Sequence, residues 1–330
     1  MSIILHDFNT EKWEDIRTRY SLGAFIGGSE APPINGTSSY GGGYSLMRRK
    51  LGLDEYPDLS GKINVQRGNT LEPIFLDEAS QMLGVGITKP NYMLLHEEHP
   101  FMIANFDGVT DQAESYIIEV KTTQSKPKID LAKKGIVADD WLTQGDHYLH
   151  FTQFKGCPNE GEYFKGIIYV IAYHIHHEPI LIEVTREERL EHMERLLIKE
   201  KAFIDMFNDK IVPEPTGLKD DVDSVKNQYP TKADYGPDER EATQEEQQMR
   251  DRYKELTNVE TDAKKEKSQI KNILQERMGK GGHRKIAGVC FISEYPSFSK
   301  KELIKELEKR ELVHLIDEAT GKFSKFNIMT

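Results

Sequence analysis

Only two cysteines, Cys157 and Cys290, occur in 330 residues, and they stand far apart. Two thiols cannot supply the four that an iron–sulfur site or a zinc ribbon needs within one chain. Both are read as reduced, structural residues. Long apolar runs are missing as well: none approaches the roughly 20 residues of a membrane span. Residues 1–7 lack the basic start and the cleavage site of a secretory signal. The expected location is therefore cytoplasmic, with no membrane association. Positive charge is in deficit, with 44 Lys and Arg against 55 Asp and Glu and a net charge of −11. Nucleic-acid binders are ordinarily basic, so any such surface here has to be a local groove on an acidic exterior. The length suggests about two domains. An apolar fraction of 37% supports a real core and leaves room for a polar helical segment.

What is present is organised around two short stretches, residues 105–109 and 116–122. Ile117, Ile118 and Val120 suit a strand. Asp107-Gly108 and the polar residues 111–115 supply the turn of a hairpin. Residues i and i+2 of a strand share a face, so Glu119 and Lys121 point the same way, with Asp107 on the partner strand. Two carboxylates and an ammonium gathered there are costly to bury without partners. Two readings stand on these residues. One is a hairpin carrying a surface ion pair. In the other, the carboxylates hold a hard divalent cation such as Mg²⁺, and Lys121 steadies or helps deprotonate an attacking water.

Around this hairpin the chain offers further candidates. Residues 9–20 read as a short helix that leaves Arg17 and Arg19 exposed. Gly27-Gly28-Ser29 is either an ordinary glycine turn with a helix cap or a place where backbone N–H groups and Ser29 meet an anion. Residues 35–45 read as a glycine-rich loop, and the basic residues of 46–51 as a solvated helix face. Residues 67–84 form a helix whose buried face is Leu71, Phe75, Ala79 and Met82, with Glu72 in its first turn. Lys126, Lys128, Lys133 and Lys134 are candidates for a DNA-facing patch. Gln144 and Tyr148 share a helical face: a glutamine can hold a metal-bound water and a tyrosine can contact phosphate. Residues 166–173 are a central strand and 180–184 its neighbour; His174, His176 and His177 between them read as a wet hairpin end. Residues 185–208 form an amphipathic helix with Leu190, Met193, Leu197, Phe203 and Met206 inward. The expected domains are 1–212, a linker over 213–240, and a C-terminal region 241–330 for assembly or partner binding. That region holds a long charged helix over 238–279, with Met249, Leu256, Ala263 and Ile270 at heptad spacing, then a small αβ unit.

Five of these elements stand in one order: Gly27-Gly28-Ser29, Gly68-x-x-Leu71-Glu72-Pro73, Asn105-x-Asp107-Gly108, Glu119-x-Lys121-Thr122 and Gln144-x-x-x-Tyr148. In that order they resemble the YqaJ-like phage recombination nucleases, relatives of lambda exonuclease that carry a PD-(D/E)xK signature. The resemblance covers about the first 210 residues. It implies an α/β fold: a restriction-endonuclease-like core of mixed sheet flanked by helices. It also implies Mg²⁺-dependent phosphodiester hydrolysis, with Mn²⁺ substituting. By this resemblance Asp107, Glu119, the Val120 carbonyl and Glu72 bind metal, Lys121 orients the water and Gln144 holds a metal-bound water. Ser29 and Gly28, with Arg17 or Arg19, take the terminal 5′-phosphate, and Tyr148 contacts DNA. The implied activity is 5′ to 3′ resection of linear double-stranded DNA for recombination by single-strand annealing, in a phage or prophage protein. Such enzymes often work as ring-shaped homotrimers beside an annealing protein. Competing readings are an endonuclease or nicking enzyme of the same superfamily and a non-catalytic subunit that binds DNA ends.

Overall fold

A run of seven residues from Gly166 to Ala172 is buried at every position. Such a strand must be covered on both faces and flanked on both edges, and the rest of the first unit is built around it. The computed structural model describes residues 2–7, 20, 23–59, 61–174, 176–230, 240–281, 285–286 and 290–291. The chain divides into residues 1–228 and 229–330. In the first unit the strands are β1 (Ser2–Asp7), β2 (Ile26–Gly27), β3 (Ile87–Thr88), β4 (Tyr92–His96), β5 (Met102–Ala104), β6 (Gly108–Thr110), β7 (Tyr116–Thr122), β8 (Gly166–Ala172) and β9 (Ile180–Thr185). Its helices are α1 (Ala31–Asn35), α2 (Gly43–Lys50), α3 (Ile63–Leu83), α4 (Lys126–Ala132), α5 (Asp139–Tyr148), α6 (Arg186–Asn208) and α7 (Lys219–Gln228).

The main sheet has the order β3-β6-β7-β8-β9. It is antiparallel except for β7 and β8, which run parallel with Glu119 opposite Tyr169 and Lys121 opposite Ile171. One face packs Ile117, Ile167, Tyr169 and Ile171 against Trp141 and Tyr148 of α5 and the rings of Phe106, Phe151 and Phe164. The other packs Ile118, Ile168 and Val170 against Phe75, Leu76 and Ala79 of α3. A second sheet, β1-β4-β5-β2, carries the glycine turn at its parallel β2–β5 edge. The fold is thus the expected mixed α/β arrangement of sheet flanked by helices.

Several elements differ from the sequence reading in ways that have physical causes. Helix α3 begins at Ile63 rather than near residue 67, and its Gly68 passes close to β7, where an added Cβ would lie 3.3 Å from the Thr122 hydroxyl. Glu72 is therefore inside the helix and not in its first turn, and Met82 is 45% exposed while Leu76 is buried. On α6 the buried residues are Met193, Leu196, Glu200, Phe203 and Ile204, and Leu190 faces outward. The basic residues of α2 are not a solvated face: Arg48 is bidentate to Asp54, and the buried Lys50 pairs with Glu30 at 2.9 Å. Over residues 35–45, Gly41 and Gly42 pack on α7, and Gly42 N–H donates to Asp221 at 2.9 Å. Where composition reads as a linker, Lys219–Gln228 are a helix whose Asp221 is fully buried and also accepts from Ser45 and Thr216. The second unit contains α8 (Gln244–Gly281), with Met249, Leu256 and Ile270 exposed, and the antiparallel pair β10 (Lys285–Ile286) and β11 (Cys290–Phe291). Apart from Tyr20, which is helical, the helix expected over 9–20 lies outside the described residues, as does the part of the expected αβ unit beyond residue 291.

Candidate active site

The β6–β7 ladder stops at the pair Gly108 and Ile118. Past that point Val120 N–H finds no strand carbonyl and donates to the Asp107 carboxylate at 2.8 Å. In a strand the N–H and C=O of one residue face the same edge, so the Val120 carbonyl looks to the side occupied by Asp107. Glu119 and Lys121 emerge on the face covered by α5. The Lys121 ammonium donates to Glu119 Oε1 at 2.6 Å and to Gln144 Oε1 at 2.7 Å. Gln144 Nε2 donates to the same Glu119 oxygen at 2.8 Å and to the Tyr148 hydroxyl at 3.1 Å. One carboxylate oxygen is thus held by two donors. The other, Glu119 Oε2, is buried and has no partner.

The electrostatics follow from crowding. Burial pushes the Asp107 carboxyl well above the usual carboxylate range, and the nearby Glu119 and Glu72 charges push it the same way. Lys121 and the Val120 N–H oppose this without cancelling it. Burial also raises Glu119, against the pull of Lys121. Glu72 reaches both acids with its field from α3, while its own carboxylate pairs with Lys89. Burial and the Glu119 and Asp107 charges keep the Tyr148 hydroxyl protonated.

Among the described residues, no three His, Cys, Asp or Glu side chains form a ready-made metal cluster; this includes His174, His176 and His177. The donor set around Glu119 nevertheless fits a hard divalent cation. It offers carboxylates that repel one another, a backbone carbonyl on the same edge and an orphaned buried oxygen.

The glycine turn is joined to this network by Tyr148. A Cβ on Gly28 would lie 2.4 Å from Tyr148 Cε1, so the bare Cα makes room for the ring. The close approach seen at that glycine is by an aromatic side chain. Ser29 is exposed beside it. The turn is braced by Glu30, which accepts from Gly27 N–H at 3.0 Å and pairs with Lys50. Arg17 and Arg19 lie outside the described residues. Gly28→Ala is expected to force the Tyr148 ring away, lowering stability by about 1–3 kcal/mol and breaking its contact with Gln144; urea unfolding and the tyrosine near-UV signal check both.

Helix α5 is clamped from behind by residues the sequence did not single out. Arg189 of α6 makes a bidentate pair with Asp146, both bonds 2.7 Å. His147 is fully buried, with Nδ1 2.8 Å from Glu200 Oε1 and Nε2 3.0 Å from the Ile103 carbonyl. The available signal was an acid interrupting the apolar period of α6, seven residues after Met193 and three before Phe203.

The match to known families covers this same set of elements. Residues 12–155 match the YqaJ-like viral recombinase domain. The resemblance drawn from five short motifs is therefore borne out, and the YqaJ-like region contains the glycine turn, Glu72, Asp107, Glu119, Lys121, Gln144 and Tyr148. Two solved structures are also similar, both of the alkaline exonuclease LHK-Exo from Laribacter hongkongensis. One is "LHK-Exo in complex with dAMP". Each is 14% identical and covers 67% of this chain and 100% of its own, with TM-scores of 0.44 and 0.45. No curated protein matches the sequence.

Proposed function

We propose that the YqaJ-like region is a divalent-cation-dependent deoxyribonuclease that resects linear duplex DNA, 5′ to 3′, to expose a strand for annealing. The observation that carries this is the half-buried group of Asp107, Lys121 and Gln144 around the buried Glu119, with one Glu119 oxygen left unpartnered. No purely structural role explains two mutually repelling carboxylates held at the end of a strand beside a lysine.

Asp107, Glu119, the Val120 carbonyl and Glu72 are the residues that would hold Mg²⁺ or Mn²⁺. A bound divalent ion supplies Lewis-acid stabilisation of charge on the attacking and leaving oxygens. The remaining work belongs to the chain. Lys121 would direct its N–H groups at the attacking water and at the charge that develops on phosphate. Gln144 holds the water through its amide and is itself aligned by Tyr148. Tyr148, seated on Gly28, keeps the turn that would take the terminal 5′-phosphate, through Ser29, in register with the cleavage point. Arg17 or Arg19 would add the phosphate's counter-charge.

The test compares linear duplexes with and without 5′-phosphate, and a covalently closed circle, each with Mg²⁺. Linear phosphorylated ends should shorten and the circle should survive. A linearised circle would replace this reading with an endonuclease. No Mg²⁺-dependent nucleotide release from any substrate would leave a DNA-end-binding subunit. A homotrimer and an annealing partner are part of the same proposal, and light scattering of the full chain tests the first.

A further inference from the structure

The parallel pair β7–β8 delivers two chain segments to the same end of the sheet. β7 ends with Lys121 and Thr122 opposite Ile171 and Ala172. The next residues of that β8 exit are Tyr173, His174, His176 and His177, and the β7 exit leads into α4 and Lys133-Lys134. The two segments meet. Lys133 Nζ lies over the Tyr173 ring, 5.0 Å from its centroid, and that ring stacks on His177 at 5.7 Å and 21°. The His174 ring is 5.1 Å from His177 and 5.2 Å from His176.

Charge separates this surface from its neighbours. Lys126 and Lys128 are neutralised by Asp130 and Asp140. Lys133 and Lys134 are exposed, and among the described residues neither forms an ion pair. In a chain of net charge −11, two exposed ammonium groups beside stacked rings, both in the field of Asp130 but in ion-pair contact with no described carboxylate, stand out as a polyanion-facing patch. The histidines form no metal-ligand cluster among the described residues. Position gives the ligand class. Tyr173 is two residues beyond the register partner of Lys121, roughly 7 Å along the strand.

We propose that Lys133 and Lys134, backed by the Tyr173–His177 stack, grip the sugar–phosphate backbone beside the phosphate being cleaved. The inference rests on the nuclease reading, and its test separates the two. Binding of a fluorescent linear duplex to the full chain is measured in EDTA over a KCl series, for wild type and Lys133→Gln/Lys134→Gln. Lys264→Gln/Lys265→Gln on α8 is the control for net charge. Loss of two phosphate contacts should make the slope of log K against log salt shallower by about 1.8, with the control unchanged. Hydrolysis of bis(p-nitrophenyl) phosphate with Mg²⁺, too small to reach the patch, should keep its wild-type rate. An unchanged slope, or an equal change in the control, overturns the proposal. A slope change confined to Lys133 and Lys134, in a protein that hydrolyses neither DNA nor the small diester, upholds the patch and rejects the nuclease reading.

Discussion

Glu119→Gln is expected to abolish Mg²⁺-dependent nucleotide release, by about 10³-fold, while the protein unfolds at the same temperature or higher. The two halves of this expectation come from one feature. The wild-type carboxylate is 3% exposed, shares one oxygen between Lys121 and Gln144, and leaves the other unpartnered. An amide of the same shape removes a buried charge that repels Asp107, so folding loses little and the repulsion is relieved. The same change takes away an oxygen that would bind a cation. Lys121→Met should be equally inactive with the opposite effect on stability, because it strips Glu119 of its only counter-ion and leaves two acids facing one another. Activity on linear duplex and thermal unfolding, measured side by side, check both variants. Glu119→Gln with wild-type cleavage would remove this group from the chemistry. A marked loss of stability in Glu119→Gln would show that the buried carboxylate is a structural group.

Glu200→Ala should cause the largest loss of stability, about 3–5 kcal/mol. It leaves a fully buried imidazole whose Nδ1 has lost its partner, while Nε2 still faces the Ile103 carbonyl. Both ring nitrogens of His147 meet oxygens, and an imidazolium satisfies both. Burial alone would lower its pKa, but the Glu200 carboxylate outweighs burial and holds it above the ordinary value of 6.5. A group whose pKa is raised on folding contributes stability that is fully present below the unfolded value. That contribution is lost as pH rises through the folded value. The wild-type unfolding temperature should therefore decline from about pH 6.5 upward through this pair, and the decline should be absent in His147→Leu/Glu200→Leu. A wild-type profile identical to that of the double variant would show that the pair contributes nothing through its charge. Because α5 carries Gln144 and Tyr148, the loss of the clamp should be felt in cleavage as well.

Much of this molecule was legible in the order of its residues. The β-branched run at 117–120 and the polar residues 111–115 predict the hairpin, and the i, i+2 spacing predicts that Glu119 and Lys121 share a face. Both hold, because strand periodicity is set by the backbone alone. Gly108, read as part of a turn, is instead a strand residue of β6 opposite Ile118, and the turn lies over 111–115. The i, i+4 pair Gln144 and Tyr148 does share a face and a hydrogen bond. Less legible were the positions where packing overrides local signals. Glu72 read as a first-turn residue because nothing local announces that α3 starts at Ile63. Arg48 and Lys50 read as solvated because long cations usually are; here Asp54 and Glu30 neutralise them inside the fold.

The sequence by itself determined the periodic faces, the candidate acids and lysine, and the order of the five motifs, since these depend on spacing along one chain. Only the tertiary structure decided that Gly28 makes room for Tyr148, that Glu200 meets His147, and that one oxygen of Glu119 is left without a donor. The first two of these join residues 120 and 53 positions apart. No spacing rule reaches that far, because the close packing of side chains from different elements, and not backbone period, sets which of them touch.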